Sequence, residues 1–151
     1  MTTRDAHGAR SAVVVGDDGS EHSKQALAWG ARYAALVGAP LRVIAVWRLP
    51  TGYGWPLPVP GEWDPEGDAR DVLDREVTEV FGPKRPDTLS FAVVEGPPGR
   101  VLVDESDHAS LVVVGSRGRG AFAGMLLGSV SEFVTTHAHC PVVVVRNSAE
   151  D

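Results

Sequence analysis

LVVVGSRGRGAFAGMLLGSVS, residues 111–131, combines a strand, a glycine-rich loop and the start of a helix in one segment. The apolar run at 111–114 is typical of a strand buried on both faces. The loop that follows has glycines at 115, 118, 120, 124 and 128. It closes on Gly128-Ser129-Val130-Ser131, which predicts the first turn of a helix running towards Ala138. Glycines let backbone N–H groups approach an anion, and a helix N-terminus adds further N–H donors, so this segment suits a phosphate group.

Two common phosphate motifs do not fit this loop. A P-loop places Lys and then Ser or Thr after its second glycine, and the loop contains no lysine. The dinucleotide fingerprint G-x-G-x-x-G also fails, because its third glycine would fall at Ala123. The spacing that remains is Gly115-x2-Gly118-x9-Gly128-Ser129. It resembles the G-x2-G-x9-G-S/T signature of nucleotide-binding members of the universal stress protein family; a flexible surface loop is the alternative interpretation.

Length and composition indicate one globular domain. The chain has 151 residues, which is enough to bury a sizeable core. Hydrophobic residues make up 43% and charged residues 23%, both near globular averages. No apolar run approaches the ~20 residues of a membrane-spanning helix. The first ten residues, MTTRDAHGAR, lack the apolar core of a signal peptide, so a cytoplasmic location without membrane attachment is expected.

Charge and cysteine content exclude further classes of protein. The net charge of -6 argues against a general nucleic-acid-binding role. An anionic nucleotide would therefore be held by local geometry and by Arg117 and Arg119, not by the overall field. Cys140 is the single cysteine, so no intrachain disulfide framework can form.

Hydrophobic periodicity, together with the residues that cap or end helices and strands, predicts alternating strands and helices. Residues 1–10 and 148–151 are expected to be tails, flanking a single domain at 11–147. Apolar runs or alternation predict five strands, and helical spacing with caps predicts four helices. In chain order these are a strand at Ser11–Gly16, a helix at Glu21–Val37, a strand at Leu41–Trp47, a helix from Asp64-Pro65 to Gly82, a strand at Thr88–Val94, a helix near Arg100–Asp107, a strand from Leu111, a helix at Ser129–His137 and a strand at Pro141–Val145.

Residues 48–64 show neither a helical nor a strand period. The segment is rich in proline and glycine and contains Tyr53, Trp55 and Trp63. A loop of this length in a compact domain is often a lid or a partner-facing segment. The alternative is a proline-stiffened excursion whose tryptophans pack back on the body.

The element order predicts an α/β domain with a five-stranded parallel sheet and helices on both faces. Periodicity does not fix the strand order. The resemblance to universal stress proteins, which extends over about 11–146, implies a Rossmann-like fold of the adenine nucleotide alpha hydrolase-like type with strand order 3-2-1-4-5. Ligands of such open sheets bind beyond the carboxyl ends of the strands, where the order reverses, here between the first and fourth strands.

The resemblance also implies roles for individual residues. Asp18 matches the carboxylate that holds the ribose hydroxyls, and the backbone of Val46 matches the position that reads the adenine edge. Val114 and Gly115 line the ribose side. The phosphates are surrounded by Arg117, Gly118, Gly128, Ser129, Val130 and Ser131, with Arg117 standing where relatives have His.

Asp17 is the sharpest departure from the family pattern, which has Val, Ile or Thr at this position. An extra carboxylate beside the base or phosphates is expected either to repel an anionic ligand or to help hold a divalent cation. Asp17 is therefore included among the candidate binding residues.

Other chemistry has weaker support. His137 and His139 are two residues apart, which on a helix places them on different faces, so with Cys140 they do not predict a metal site. The nucleophile elbow G-x-S-x-G of a hydrolase is absent.

The resemblance implies a protein that binds ATP, or AMP or ADP, with Mg2+ and acts as a stress-response sensor or regulator with at most slow ATP hydrolysis. The alternative is a nucleotide-independent member that acts through contacts with other proteins, its regulatory partner unidentified. A true ATPase or nucleotidyl transferase on this fold is a third class, since fold alone does not determine function.

The final strand predicts a homodimer. Val142 to Val145 are apolar at four successive positions, as expected of a strand covered on both faces. The resemblance places this strand at the sheet edge, where unpaired backbone groups are a hazard unless covered. Pairing with a second copy about a two-fold axis, as family members do, would cover it. The alternative is that the tail beyond Arg146 or the first ten residues fold over the edge.

Overall fold

A five-stranded parallel sheet forms the centre of the molecule, as predicted. The computed structural model describes residues 12–49, 51–118, 124 and 126–146, so the expected tails at 1–10 and 148–151, and Arg119 in the loop, lie outside the described residues. The elements are β1 (Ala12–Asp17), α1 (Glu21–Val37), β2 (Leu41–Trp47), β3 (Thr51–Gly52), β4 (Trp55–Pro56), α2 (Pro65–Phe81), β5 (Leu89–Glu95), α3 (Pro98–Ser106), β6 (Ala109–Gly115), α4 (Ser129–His137) and β7 (Val142–Val145).

The main sheet has the order β5-β2-β1-β6-β7, with every neighbouring pair parallel. If only the five strands of this sheet are numbered along the chain, their order is 3-2-1-4-5, as the resemblance implies. The chain numbering differs because β3 and β4, which the sequence analysis did not predict, form a separate two-stranded hairpin. In the centre, Val15 of β1 pairs with Val43 of β2 and with Val113 of β6. The carboxyl ends of β1 and β6 therefore lie side by side.

Local sequence signals set the ends of the two long helices. α1 begins after Ser20, whose side chain accepts a hydrogen bond from the Ser23 N–H (3.2 Å), and ends at Gly38, whose φ of 71° favours glycine. α2 begins after Asp64, whose carboxylate accepts from the Gly67 N–H (3.0 Å). Among the described residues, no helix is both long and apolar enough to cross a membrane.

The core consists of one apolar cluster on each face of the sheet. Because successive strand residues point to opposite faces, Val14 and Val15 belong to different clusters. One cluster joins β1, β2 and β6 to α1 and α2 through Val15, Leu27, Val43, Leu73, Val77 and Val113, and the other joins them to α3 and α4 through Val14, Ile44, Leu102, Val112 and Val134. The predicted helices on both faces and the predicted burial of residues 111–114 are confirmed.

The 48–64 segment was predicted to have no regular secondary structure, and the structure differs from that prediction. It contains the β3–β4 hairpin, in which Gly52 pairs with Trp55 across a turn at Tyr53-Gly54. Strands of two residues are too short to produce an alternation in the sequence. Trp55 is 75% exposed and does not pack back on the body. Trp63 is less exposed, and its indole N–H donates to Asp68 Oδ2 (3.1 Å).

β7 lies at one edge of the sheet, as the resemblance implies. Its four valines are half-buried, so both faces of the strand are partly covered within the single chain. Val143 and Val145 pack against one core cluster, and Val142 and Val144 against the other. Within the described part of the chain, only β6 pairs with it.

Candidate functional site

A cleft of about 350 Å³ opens at the carboxyl ends of β1 and β6. The chain leaves these neighbouring strands towards opposite edges of the sheet, which is where open α/β sheets bind their ligands. Except for Arg119, which lies outside the described residues, the cleft is lined by the residues that the sequence analysis assigned to a nucleotide site, Asp17, Asp18, Val46, Val114, Gly115, Arg117, Gly118, Gly128, Ser129, Val130 and Ser131. Segments far apart in the sequence thus meet at one site.

Hydrogen bonds to Ser116 hold the two ends of the glycine-rich loop together. Its backbone carbonyl accepts from the Gly128 N–H (2.7 Å) and from the Ser131 hydroxyl (2.9 Å). Its N–H donates to the Val145 carbonyl (2.8 Å), which ties the start of the loop to β7. The buried Ser131 hydroxyl also lies 3.0 Å from the Gly128 carbonyl. The start of α4 is therefore fixed against the end of β6.

Close backbone approach explains why the signature positions are glycines. A Cβ on Gly115 would lie 2.8 Å from the His22 carbonyl carbon, where backbone would have to move. A Cβ on Gly128 would lie 3.3 Å from the Arg117 Cα, which is tighter than ordinary contact. On Gly118, a Cβ would collide with Asp18 Oδ2. Side chains at these positions would fill the narrow space between the β1 turn and the loop.

The loop side of the cleft offers N–H donors to an anion. α4 starts at Gly128, which supplies no side-chain cap, so the N–H groups of its first turn carry the positive end of the helix dipole towards the cleft. α3 likewise begins without a side-chain cap, and its first residue, Pro98, lines the cleft. Arg117 of the loop lines the cleft, as do Arg48 after β2 and the two carboxylates Asp17 and Asp18. This arrangement attracts an anion even though the whole chain carries a net charge of -6.

Along β2 itself, the wall of the cleft is apolar. Ile44 and Val46 alternate along β2 and belong to the same core cluster as Leu102 of α3. These three side chains line the cleft opposite the glycine-rich loop. An apolar wall beside a polar, positively charged one suits a ligand with a flat ring at one end and a phosphate at the other.

Asp18 faces the loop from the turn after β1. Its Oδ1 accepts from the Ser20 N–H (2.9 Å), and Oδ2 points to the space left by the missing side chain of Gly118. The carboxylate is exposed at the mouth of the cleft. A carboxylate in this position can accept hydrogen bonds from ligand hydroxyls.

Asp17 lies deeper and is 6% exposed. Its Oδ1 accepts from the Ser23 hydroxyl (2.8 Å) and the Gly19 N–H (3.2 Å). The sequence analysis treated this carboxylate as a charge that repels the ligand or holds a cation. In the structure it has donors from the start of α1, and it lies against a second buried carboxyl group, that of Glu76 on α2.

The surroundings of the Glu76 carboxyl group favour its neutral form. Burial raises its pKa to about 9, helped by the carboxylates of Asp17 and Asp18 and opposed by Lys24. The Lys24 ammonium group itself forms ion pairs with Glu79 (Nζ to Oε2, 2.7 Å) and with Glu21 (Nζ to Oε2, 3.4 Å).

Metal ligation finds little support in the described part of the chain, where no group of three or more His, Cys, Asp or Glu side chains is arranged to hold an ion. His139 Nδ1 instead contacts Asp107 Oδ1 (2.5 Å), and the Cys140 thiol donates to the Pro141 carbonyl (3.3 Å).

Several cleft residues were missed by the sequence analysis. They are Gly16, Ser23, Ile44, Arg48, Pro98 and Leu102. Arg48 follows the carboxyl end of β2. It could therefore have been predicted, like Asp17 and Gly115, from the rule that ligands bind beyond the carboxyl ends of the strands. Ile44 lies two residues before Val46 and therefore on the same face of the strand. Glu76 had no local signal, since it occupies an ordinary position in an amphipathic helix.

Comparisons with known proteins agree with this geometry. The sequence model of the universal stress protein family matches residues 10–146. A universal stress protein of Mycobacterium tuberculosis is 38% identical over 140 residues, covering 89% of this chain and 48% of that protein. The chain thus spans about half the length of the curated relatives it matches.

Solved structures show the same fold. A universal stress protein determined in complex with cAMP is 28% identical, with a TM-score of 0.67 over 90% of this chain and 96% of the other. The universal stress protein UspA from Lactobacillus plantarum, 20% identical, has a TM-score of 0.73 and covers 91% of this chain and 98% of its own.

Proposed function

The chain belongs to the universal stress protein family, and from that premise we propose that it binds an adenine nucleotide in the cleft between β1 and β6. The observation that carries this proposal is the glycine-rich loop, whose ends are held together by Ser116 beside the uncapped start of α4. A similar protein, 28% identical, was determined in complex with cAMP, which supports an adenine nucleotide as the ligand class.

Each end of the nucleotide matches one side of the cleft. The adenine ring lies against the apolar wall of Ile44, Val46 and Leu102, and the Asp18 carboxylate accepts from the ribose hydroxyls. The phosphates lie at the start of α4, where backbone N–H groups and the Arg117 guanidinium neutralise their charge. Gly118 and Gly128 leave the path to those N–H groups open.

The specific ligand that we propose is ATP with Mg2+, or AMP or ADP, and the role is that of a cytoplasmic stress-response sensor or regulator. Efficient phosphoryl transfer relies on Mg2+ held by carboxylates and on a residue that orients the attacking group. Asp17 is poorly suited to that task, because its Oδ1 already has two donors and its Oδ2 is buried. We therefore propose at most slow hydrolysis. The functional unit spans 11–147.

Titration with ATP and Mg2+ tests the proposal. At a hundred times the dissociation constant, ligand binding to the native state adds about 2.7 kcal/mol to the free energy of unfolding, which raises Tm by roughly 5–10 °C. Gly118→Val should abolish this shift and keep a native circular dichroism spectrum, because the new side chain displaces Asp18 and fills the phosphate path. Gly61→Val is the matched control, since a Cβ there meets nothing within 4 Å.

A wild-type protein whose Tm is unchanged by ATP, ADP, AMP and cAMP would favour the second candidate, a nucleotide-independent protein that acts through protein contacts. The observation that favours it is the β3–β4 hairpin, where Tyr53 is fully exposed and Trp55 is 75% exposed. Large aromatic side chains are common at the centres of protein interfaces.

We also propose that the protein forms a homodimer through β7. The strand is an edge of the sheet, and its half-buried valines leave apolar surface and backbone groups on that side. Sedimentation at micromolar concentration should give a dimer. A wild-type protein that sediments as a monomer would contradict this assembly.

A further inference from the structure

Two buried carboxyl groups meet behind the cleft. Asp17 is 6% exposed at the end of β1, and Glu76 is 5% exposed on α2. Asp17 Oδ2 and Glu76 Oε2 are both inaccessible to solvent, and neither meets an N–H or O–H donor from any other described residue. Asp17 lines the cleft, whereas Glu76 does not. Glu76 therefore lies outside the cleft, beside one of its lining residues.

Elementary electrostatics determines the protonation of such a pair. Two ionised carboxylates in contact away from water repel each other and leave buried oxygens without donors, which is costly. A single shared proton removes the repulsion and satisfies both oxygens at once. The Glu76 O–H then donates to Asp17 Oδ2, and the pair carries one negative charge.

We propose that Glu76 is a positioning residue of the nucleotide cleft: as a neutral acid it donates a hydrogen bond to Asp17, fixes that carboxylate on the cleft wall and holds the pair at a single negative charge. This inference rests on the proposed function, because its effect is exerted on a bound nucleotide. It goes beyond that function by giving a role to a residue outside the cleft.

The surroundings assign the proton to Glu76 and the charge to Asp17. Asp17 Oδ1 already accepts two hydrogen bonds, from the Gly19 N–H and the Ser23 hydroxyl, so Oδ2 is the oxygen left to accept from Glu76. Glu76 lies on the helix that buries Leu73 and Val77, and the apolar cluster beside them takes Leu41, Val43 and Ala45 from β2 and Leu89 and Val93 from β5.

The other charged groups that act on Glu76 are Asp18 from the β1 turn and Lys24 from α1. Lys24 favours the ionised form of Glu76, but its charge is shared with Glu79 and Glu21. Burial outweighs it and raises the pKa of Glu76 to about 9.

Loss of the shared proton should weaken nucleotide binding at alkaline pH. The pair then carries two negative charges beside a cleft that holds an anion, and its hydrogen bond is gone. A second unit charge a few ångströms from the ligand is expected to lower affinity by about tenfold or more. AMP is the suitable probe, because its phosphate is fully ionised above neutral pH, so its own charge stays constant.

Calorimetric titration with AMP from about pH 7.5 to about pH 10 tests the inference on the full chain. The wild type should lose affinity about tenfold across this range. Glu76→Gln should retain neutral-pH affinity and change by less than about twofold, because its amide donates to Asp17 and does not titrate. Glu76→Met, which has no donor, should bind weakly at every pH. Glu66→Gln, an exposed position on the same helix paired with Arg70, is the control and should follow the wild type.

A second measurement does not need nucleotide. Carbon-detected NMR of the glutamate carboxyl groups should show one group with a titration midpoint near pH 9, absent from Glu76→Gln. A midpoint below about pH 6 for Glu76 would overturn the shared proton. If Glu76→Gln and the wild type share one AMP profile, the positioning role is wrong while the proposed function stands. If the wild type binds none of ATP, ADP, AMP and cAMP at any pH, the proposed function is wrong, and the positioning role is overturned with it even where the NMR titration shows the pair.

Discussion

Replacing Glu76 with glutamine is expected to change how the stability of the protein depends on pH. The pKa of Glu76 is raised from 4.5 in the unfolded chain to about 9 in the folded protein. Between these values the native state binds one more proton than the unfolded state, so the free energy of unfolding falls as pH rises. The stabilising contribution is complete below about pH 4.5 and is lost as pH rises through about 9.

The expected magnitude follows from that linkage. Each pH unit inside this window removes about 1.4 kcal/mol from the free energy of unfolding of the wild type. Glutamine at position 76 binds no proton, so over the three units from about pH 5.5 to about pH 8.5 the variant gains about 4 kcal/mol relative to the wild type. For a chain of this length, that corresponds to a relative rise in Tm of about 10 °C.

Urea unfolding at a series of pH values measures this difference directly. Subtracting the wild-type free energy of unfolding from that of the variant removes the titrations that the two proteins share. For Glu66→Gln, at an exposed position on the same helix, this difference should be the same at every pH. If the stability difference between Glu76→Gln and the wild type is the same at about pH 5.5 and about pH 8.5, Glu76 is not held as a neutral acid, and the shared proton is refuted.

Other substitutions test the loop and its supports. Gly115→Ala should destabilise the protein by about 1–3 kcal/mol, because its Cβ would lie 2.8 Å from the His22 carbonyl carbon, whereas Gly61→Ala, with open space around its Cβ, should leave the urea midpoint nearly unchanged. Ser131→Ala should cost about 1–2 kcal/mol in the same assay, because the Ser116 carbonyl loses one of its donors, and it should weaken nucleotide binding; equal affinity to the wild type would mean that this hydrogen bond does not hold the loop. Asp64→Ala should cost about 1 kcal/mol through loss of the α2 cap and leave nucleotide affinity unchanged.

Secondary structure was largely predictable because its signals are local. The boundaries of α1, β2 and α4 agree with their predictions, since caps, glycines and apolar runs lie next to the ends they determine. α3 starts at Pro98, earlier than predicted, because proline is favoured in the first turn of a helix. The β3–β4 hairpin was missed, since four paired residues carry no measurable period.

The candidate site was predictable where it depends on spacing within one segment. Gly115, Gly118, Gly128 and Ser129 follow one another at fixed intervals on a strand, a loop and a helix, and such a segment can be recognised before the rest of the chain is placed. Whether β1 lies beside β6 was not determined by periodicity. The resemblance implied that neighbourhood, and the structure has it.

The sequence by itself determined the alternation of strands and helices, the glycine spacing and the presence of an unusual carboxylate at Asp17. Only the tertiary structure decided what surrounds that carboxylate. Ser23 reaches it from α1, and Glu76 reaches it from α2, a helix far along the chain. The protonation of Glu76 depends on exclusion of water and on the distance to another charge, and both arise only when distant segments pack together. A sequence pattern records which groups are present, whereas folding sets how deeply they are buried and which of them meet.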